Sequence, residues 1–174
     1  MSEENLNIVN ADIKALGRIA NQLRLDSLEM IYRRQAGHPG GSLSAAEIVA
    51  TLFFHTMRID PMNPQWEDRD RFILSKGHAS ALLYAALAHK GYFPLADLKE
   101  WGQLECHLQG HPDIQKTPGV DMTSGILGHG IAIGAGLALG AKQQNKDYRI
   151  YTLLGDRSEE RRVGKECRSR WGRD

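Results

Sequence analysis

The chain has 174 residues, enough for about one domain around a single sizeable core. Lysine plus arginine number 22 and aspartate plus glutamate 21, a net charge of +1 that argues against a chain built to bind nucleic acid. Two cysteines are too few for a disulfide framework, the acidic start MSEENLNIVN is no signal peptide, and no run reaches the roughly 18 apolar residues of a membrane span, so the expectation is a cytoplasmic protein with no membrane partner.

Ile13, Leu16, Ala20, Leu23 and Ser27 recur at three- and four-residue steps, and Leu28 and Ile31 extend the stripe. This predicts an amphipathic helix over 11–35. The segment AGHPGGS stops it with glycine and proline. Ser44 and Glu47 have capping-box spacing ahead of Ile48, Val49, Leu52 and Phe53, which predicts a second helix to about Met57. DPMNPQWEDRD reads as a polar loop, and Arg71 to Ser75 as a short buried strand. A helix follows from His78 to Lys90, with Gly91 as its stop. Residues 94–101 form a short helix, and 105–124, rich in Gly, Pro and polar residues, a long loop. Long loops of this kind are usually functional or disordered.

Gly130, Gly134, Gly136 and Gly140 sit within an otherwise helical run over 128–144. Each costs about 1 kcal/mol relative to alanine, so the pattern predicts that another backbone approaches closely there. Tyr148 to Leu154 is a strand that ends in Gly155 and Asp156. Helices alternating with short apolar strands predict an α/β fold, a parallel sheet flanked by helices. Beyond Asp156 the character changes. Residues 157–174 hold seven Lys/Arg and four Asp/Glu, with Val163 the one aliphatic and Trp171 the one aromatic residue. Such a segment can bury little and is expected to be disordered.

Four of the seven histidines directly follow a glycine: His38 in GHPGG, His78 in KGHAS, His111 in QGHPD and His129 in LGHGI. Glycine lets the backbone turn sharply towards a ligand, and histidine offers a donor or acceptor that titrates near pH 7. Together they point to a polar pocket; taken singly, each pair is equally a glycine turn beside a packed histidine. No HExxH or Cys-His pattern supports a zinc site. His55 and His89, inside helical runs, read as structural, and His107 is undecided. Asp156, where a strand hands over to a loop, is placed to bind magnesium at the carboxyl end of a sheet or simply to cap a turn. The loop from Gly125 to Gly130 leads into a helix N-terminus, which favours anionic ligands.

Taken in order, GHPGGSLSAAEI (37–48), RDRFILSKGHASALLYAAL (69–87), LQGHPDIQKTPGVDMTSG (108–125), LGHGIAIGAGLALGAK (127–142) and YRIYTLLGD (148–156) resemble the transketolase family. The likeness is closer still to the N-terminal subunit of its split members. The resemblance spans residues 10–156 and implies the first part of a thiamine-diphosphate-binding domain over 1–156. It implies transfer of a two-carbon ketol unit from a ketose phosphate to an aldose phosphate, with thiamine diphosphate and Mg2+ as cofactors. The thiazolium ring serves as electron sink while protein groups orient the reactants. By matching position, His38 and His111 would hydrogen-bond substrate hydroxyls. His78 would lie near the cofactor diphosphate and reacting carbon, and Gly125 and Leu127 would pack on the aminopyrimidine. Gly155 and Asp156 would open the cofactor motif, with Asp156 the metal ligand.

The sequence departs from the family at two places. His129 stands where the family usually has Gln, and no role is assigned to it. Arg157 stands where a Gly follows the Asp, and the family's second ligand, an Asn roughly thirty residues on, falls beyond Asp174. The string RSEERRVGKECRSRW back-translates to a sequence resembling a high-throughput sequencing adapter, so residues 157–174 read as foreign and the domain as truncated. The chain alone is expected to be inactive. Its expected partner is a C-terminal transketolase subunit or a second protomer, with sugar phosphates as substrates. A deoxyxylulose-phosphate synthase and a non-catalytic binding fragment are the alternatives.

Overall fold

The computed structural model describes residues 3–155, with side chains from residue 12 onward. The expectations for residues 157–174 and for the Asp156 carboxylate therefore lie outside the described residues.

Helix α1 (Glu3–Arg34) begins earlier than its apolar stripe predicts. It turns Ala20, Leu23, Ser27 and Met30 into the core, and the Ser27 hydroxyl is satisfied by the Leu23 carbonyl at 2.6 Å. Ile13 and Leu28, assigned to the stripe from sequence, are instead exposed. The face that packs on the next two helices is narrower, and Met30 takes the place given to Leu28. Gln35 and Gly37, both at positive φ, turn the chain out of the helix.

The glycine-proline segment does more than terminate α1. Pro39, whose fixed φ suits a first helical turn, starts a short helix α2 (Pro39–Leu43). The predicted capping box does not form. Helix α3 (Ala46–Thr51) is preceded by Ala45 with no side-chain cap. The Ser44 hydroxyl donates to the Gly41 carbonyl at 3.4 Å, and Glu47 pairs with Arg24 of α1. Glu47 is held below the usual carboxylate range by that arginine. The run to Met57 is not a continuous α-helix either: Leu52–Thr56 relaxes into a π-helical turn that buries Phe53 and exposes His55.

Strand β1 (Arg71–Leu74) and strand β2 (Ile150–Leu153) pair in parallel, with Arg71 opposite Ile150 and Leu74 opposite Leu153. Between them run helix α4 (Ser80–Lys90), two 3-10 turns (Gly77–Ala79 and Leu95–Glu100), the long loop, and helix α5 (His129–Gln143). Ser80 to Ala88 of α4 are all buried, which makes it the core helix, and Gly91 at φ 100° ends it as predicted. His89, in its last turn, meets Asp26 of α1 at 2.6 Å; His107 of the long loop meets Asp97 at 3.1 Å.

Both strands start from one buried carboxylate. Asp70, 2% exposed, accepts from the backbone N–H of Arg58 at 2.9 Å and of Arg149 at 2.8 Å, and from the Arg58 guanidinium at 3.4 Å. Arg149 immediately precedes β2, so Asp70 ties the two strand entries together. Removing it leaves the two backbone amides without that partner. Asp70→Ala is expected to lower the unfolding free energy by about 3 kcal/mol, read as a lower urea midpoint; a midpoint within error of the parent contradicts this role.

Candidate functional site

The site is built at the carboxyl end of the sheet. Ser75 extends the ladder past β1, its N–H bonding the Leu153 carbonyl at 2.9 Å. Lys76 then turns inward. The residue is almost fully buried, its ammonium donates to the Gly41 carbonyl at 2.7 Å, and burial lowers its pKa. Gly77 and His78 follow in a single 3-10 turn.

Three loops converge on that turn because glycines let them. A Cβ on Gly41 would lie 3.0 Å from Nε2 of His78, so the GHPGG segment lies flat against the imidazole. A Cβ on Gly77 would lie 2.5 Å from the Ser124 hydroxyl and 3.1 Å from the Gly125 nitrogen. A Cβ on Gly130 would come within 2.9 Å of the Ser75 Cα, and the Gly130 N–H donates to the Ser75 hydroxyl at 3.2 Å. The backbone approach expected of the glycines in α5 is thus found at Gly130; at Gly134 the close neighbour is instead the Thr152 side chain of β2. Gly136 and Gly140 face open space.

His38 and His78 meet edge to face, ring centroids 5.0 Å apart at 64°. His111 completes the group, close enough for its charge to bear on His78. Three side chains fix the backbone that delivers it: Ser80 donates to the Gly110 carbonyl at 2.8 Å, and Tyr84 and the Trp101 indole donate to the Gln109 carbonyl at 2.9 and 3.1 Å. Burial raises the Tyr84 pKa, so its hydroxyl stays a donor. On the other side of His111, the Pro112 carbonyl accepts the Ser124 N–H at 3.0 Å.

The His78 imidazole is half-buried and its pKa is pushed below 6.5, first by burial and then by His38, Lys76 and His111. It is a neutral donor or acceptor at pH 7, ringed by positive or potentially positive groups. That suits it to a polyanion or to sugar hydroxyls.

The structure brings His38, His78 and His111 together and sets Gly125 against Gly77, beside His78. Leu127, half-buried, lies in the same loop. The β1–β2 register puts Gly155 at the same sheet end as Lys76 to His78. His129 is exposed at the start of α5. Sequence reading missed Lys76, Ser124 and the Ser80–Tyr84–Trp101 set. Lys76 directly precedes a glycine-histidine pair, a signal that marks it in the sequence; the others depend on contacts between distant segments.

The Ser124 hydroxyl is buried without a hydrogen-bond partner among the described residues, beside the exposed backbone of Gly125. A buried polar atom left open at the rim of a glycine cradle fits a polar ligand group arriving there. Among the described residues no three His, Cys, Asp or Glu side chains are grouped to hold a metal ion.

Residues 16–159 match the family described as transketolase, thiamine diphosphate binding domain. The chain is 44% identical over 137 residues to the 6-deoxy-6-sulfo-D-fructose transketolase subunit SqwG of Clostridium sp. (strain MSTE9), covering 79% of this chain and 50% of that protein. It superimposes on the transketolase of Campylobacter jejuni with a TM-score of 0.80 at 40% identity, over 84% of this chain and 24% of that one. For the Pichia stipitis transketolase in complex with sedoheptulose 7-phosphate the TM-score is 0.73 at 36% identity, over 80% and 22%. The chain thus spans half the length of the first and under a quarter of the other two.

Because His78 binds its proton more weakly folded than unfolded, its neutral form adds stability above pH 6.5 that is lost as pH falls through the depressed folded value. NMR titration of the His78 ring is expected to give a midpoint below 6.5, and His38→Gln together with His111→Gln to move it upward. A midpoint at or above 6.5 contradicts the cluster.

Proposed function

The chain belongs to the transketolase family, and from that premise we propose that it supplies the diphosphate side of a transketolase active site. The convergence of His38, His78 and His111 on the glycine cradle carries this reading. The reaction is transfer of a two-carbon ketol unit from a ketose phosphate to an aldose phosphate. The sugar phosphate bound in the Pichia stipitis relative supports the substrate class.

Thiamine diphosphate would supply the electron sink for carbon–carbon cleavage. His78, held neutral, would stand beside its diphosphate and reacting carbon. The Ser124 hydroxyl and the open backbone of Gly125 would meet the cofactor, with Leu127 packing on its aminopyrimidine. His38 and His111, exposed above the cradle, would hold the hydroxyls of the transferred unit and fix it for attack. Gly155 and Asp156 would form the magnesium end, the carboxylate suiting a cation that prefers oxygen ligands and bridges to phosphates. The complementary half, as a separate subunit or a second protomer, would cover the exposed side; the naming of SqwG as a subunit supports this arrangement.

The test is a transfer assay on the chain combined with its complementary half, thiamine diphosphate and Mg2+. A ketose phosphate donor is expected to support two-carbon transfer and pyruvate to give none. His111→Ala is expected to lower kcat/KM by at least about tenfold through lost positioning. Turnover of pyruvate with an aldose phosphate acceptor would instead favour a deoxyxylulose-phosphate synthase, and binding without turnover a non-catalytic role.

A further inference from the structure

We propose that a second polar pocket, between the end of α1 and the 3-10 turn Leu95–Glu100, binds a small tetrahedral oxyanion. The shared chemistry is that of free phosphate or of the phosphate ester of a small metabolite. This inference does not depend on the reading of the histidine cluster.

The pocket encloses about 340 Å³ and is lined by Arg33, Arg34 and Lys99 with no carboxylate among its lining residues. Its floor is apolar and closed: Met30 and Trp101 are both almost fully buried. Gln103 adds an amide at the rim.

Arg34 is the central group. Its guanidinium carbon sits 5.1 Å from the centre of the Trp101 ring, and it has no ion-pair or hydrogen-bond partner among the described residues. Arg33, by contrast, is engaged by Glu29 at 2.7 Å. Space for Arg34 is created by the loop itself. A Cβ on Gly102, at φ +72°, would overlap the guanidinium, and one on Gly110 would lie 3.4 Å from its Nη1. The loop is closed at that point by the Gly102 N–H on the Leu108 carbonyl at 2.8 Å, so the cradle is fixed.

A stacked guanidinium loses little freedom on binding and keeps its in-plane N–H donors for a bidentate acceptor. Phosphate fits that fork. The Lys99 ammonium supplies a second charge without directional demand.

The experiment is an amide and indole N–H NMR titration of the full chain with inorganic phosphate, and in a second arm with glycerol 3-phosphate. The proposal expects saturable shifts at the Trp101 indole and at Gly102 and Gln103, with a Kd of about 1 mM or tighter that weakens as salt rises. Arg34→Met is expected to weaken binding about tenfold, the loss of one charge-assisted pair. Arg34→Lys should recover only part of it, and Lys99→Met, at an exposed position, should weaken it less. Tighter binding of the ester assigns the pocket to an organic phosphate, and equal affinity to the free ion. Absence of saturation, shifts confined to His78 and Gly125, or undiminished binding by a folded Arg34→Met chain together with Lys99→Met would overturn it.

Discussion

The site depends on how closely two loops can approach the end of β1. Gly77 and Gly130 sit where a single methyl group would collide with Ser124 and Gly125 on one side and with Ser75 on the other. Backbone against backbone at these distances is what allows one short turn to carry Lys76, Gly77 and His78 into the middle of three converging segments. Sheet register then does the rest: with Leu74 opposite Leu153, the residues after both strands emerge at the same place. A parallel pair always delivers its two carboxyl ends to one edge, which is where ligands of open α/β folds are bound.

The electrostatics follow from the same packing. Lys76 is forced inward to the Gly41 carbonyl, and three histidines are held within mutual influence. Burial and the neighbouring positive groups lower the His78 pKa, while the His38 and His111 side chains are exposed. The cradle thus offers the neutral His78 imidazole and open backbone to an anion, with the Lys76 ammonium held beside it on the Gly41 carbonyl. The network behind His111 is of a different kind: Ser80, Tyr84 and Trp101 all donate to carbonyls of the two residues before it and so fix the backbone, leaving the ring free.

Much of this was legible in the chain. The strand from Arg71, the buried helix stopped by Gly91, the long loop before Ser124 and the glycine-bearing helix α5 all follow from periodicity and punctuation, and the four glycine-histidine pairs marked three of the segments that converge. What the sequence hid is tertiary. Ser44 and Glu47 have the spacing of a capping box, yet Glu47 serves Arg24 of a different helix. Leu28 has the right period to be buried, but α1 presents Met30 instead. Gly102 looks like an ordinary turn glycine until Arg34 is seen to occupy its missing side chain. In each case a residue's partner lies on another element, and no local rule can choose between candidates at that distance.

The glycine cradle is tested by mapping thiamine diphosphate onto the chain by NMR in the presence of Mg2+. Shifts are expected to concentrate at Gly77, His78 and Ser124 to Leu127, together with Gly155, and to be lost in a folded Gly77→Ala chain, where the new methyl group drives Ser124 and Gly125 away. Shifts spread elsewhere on the surface, or an unchanged pattern in Gly77→Ala, would contradict it.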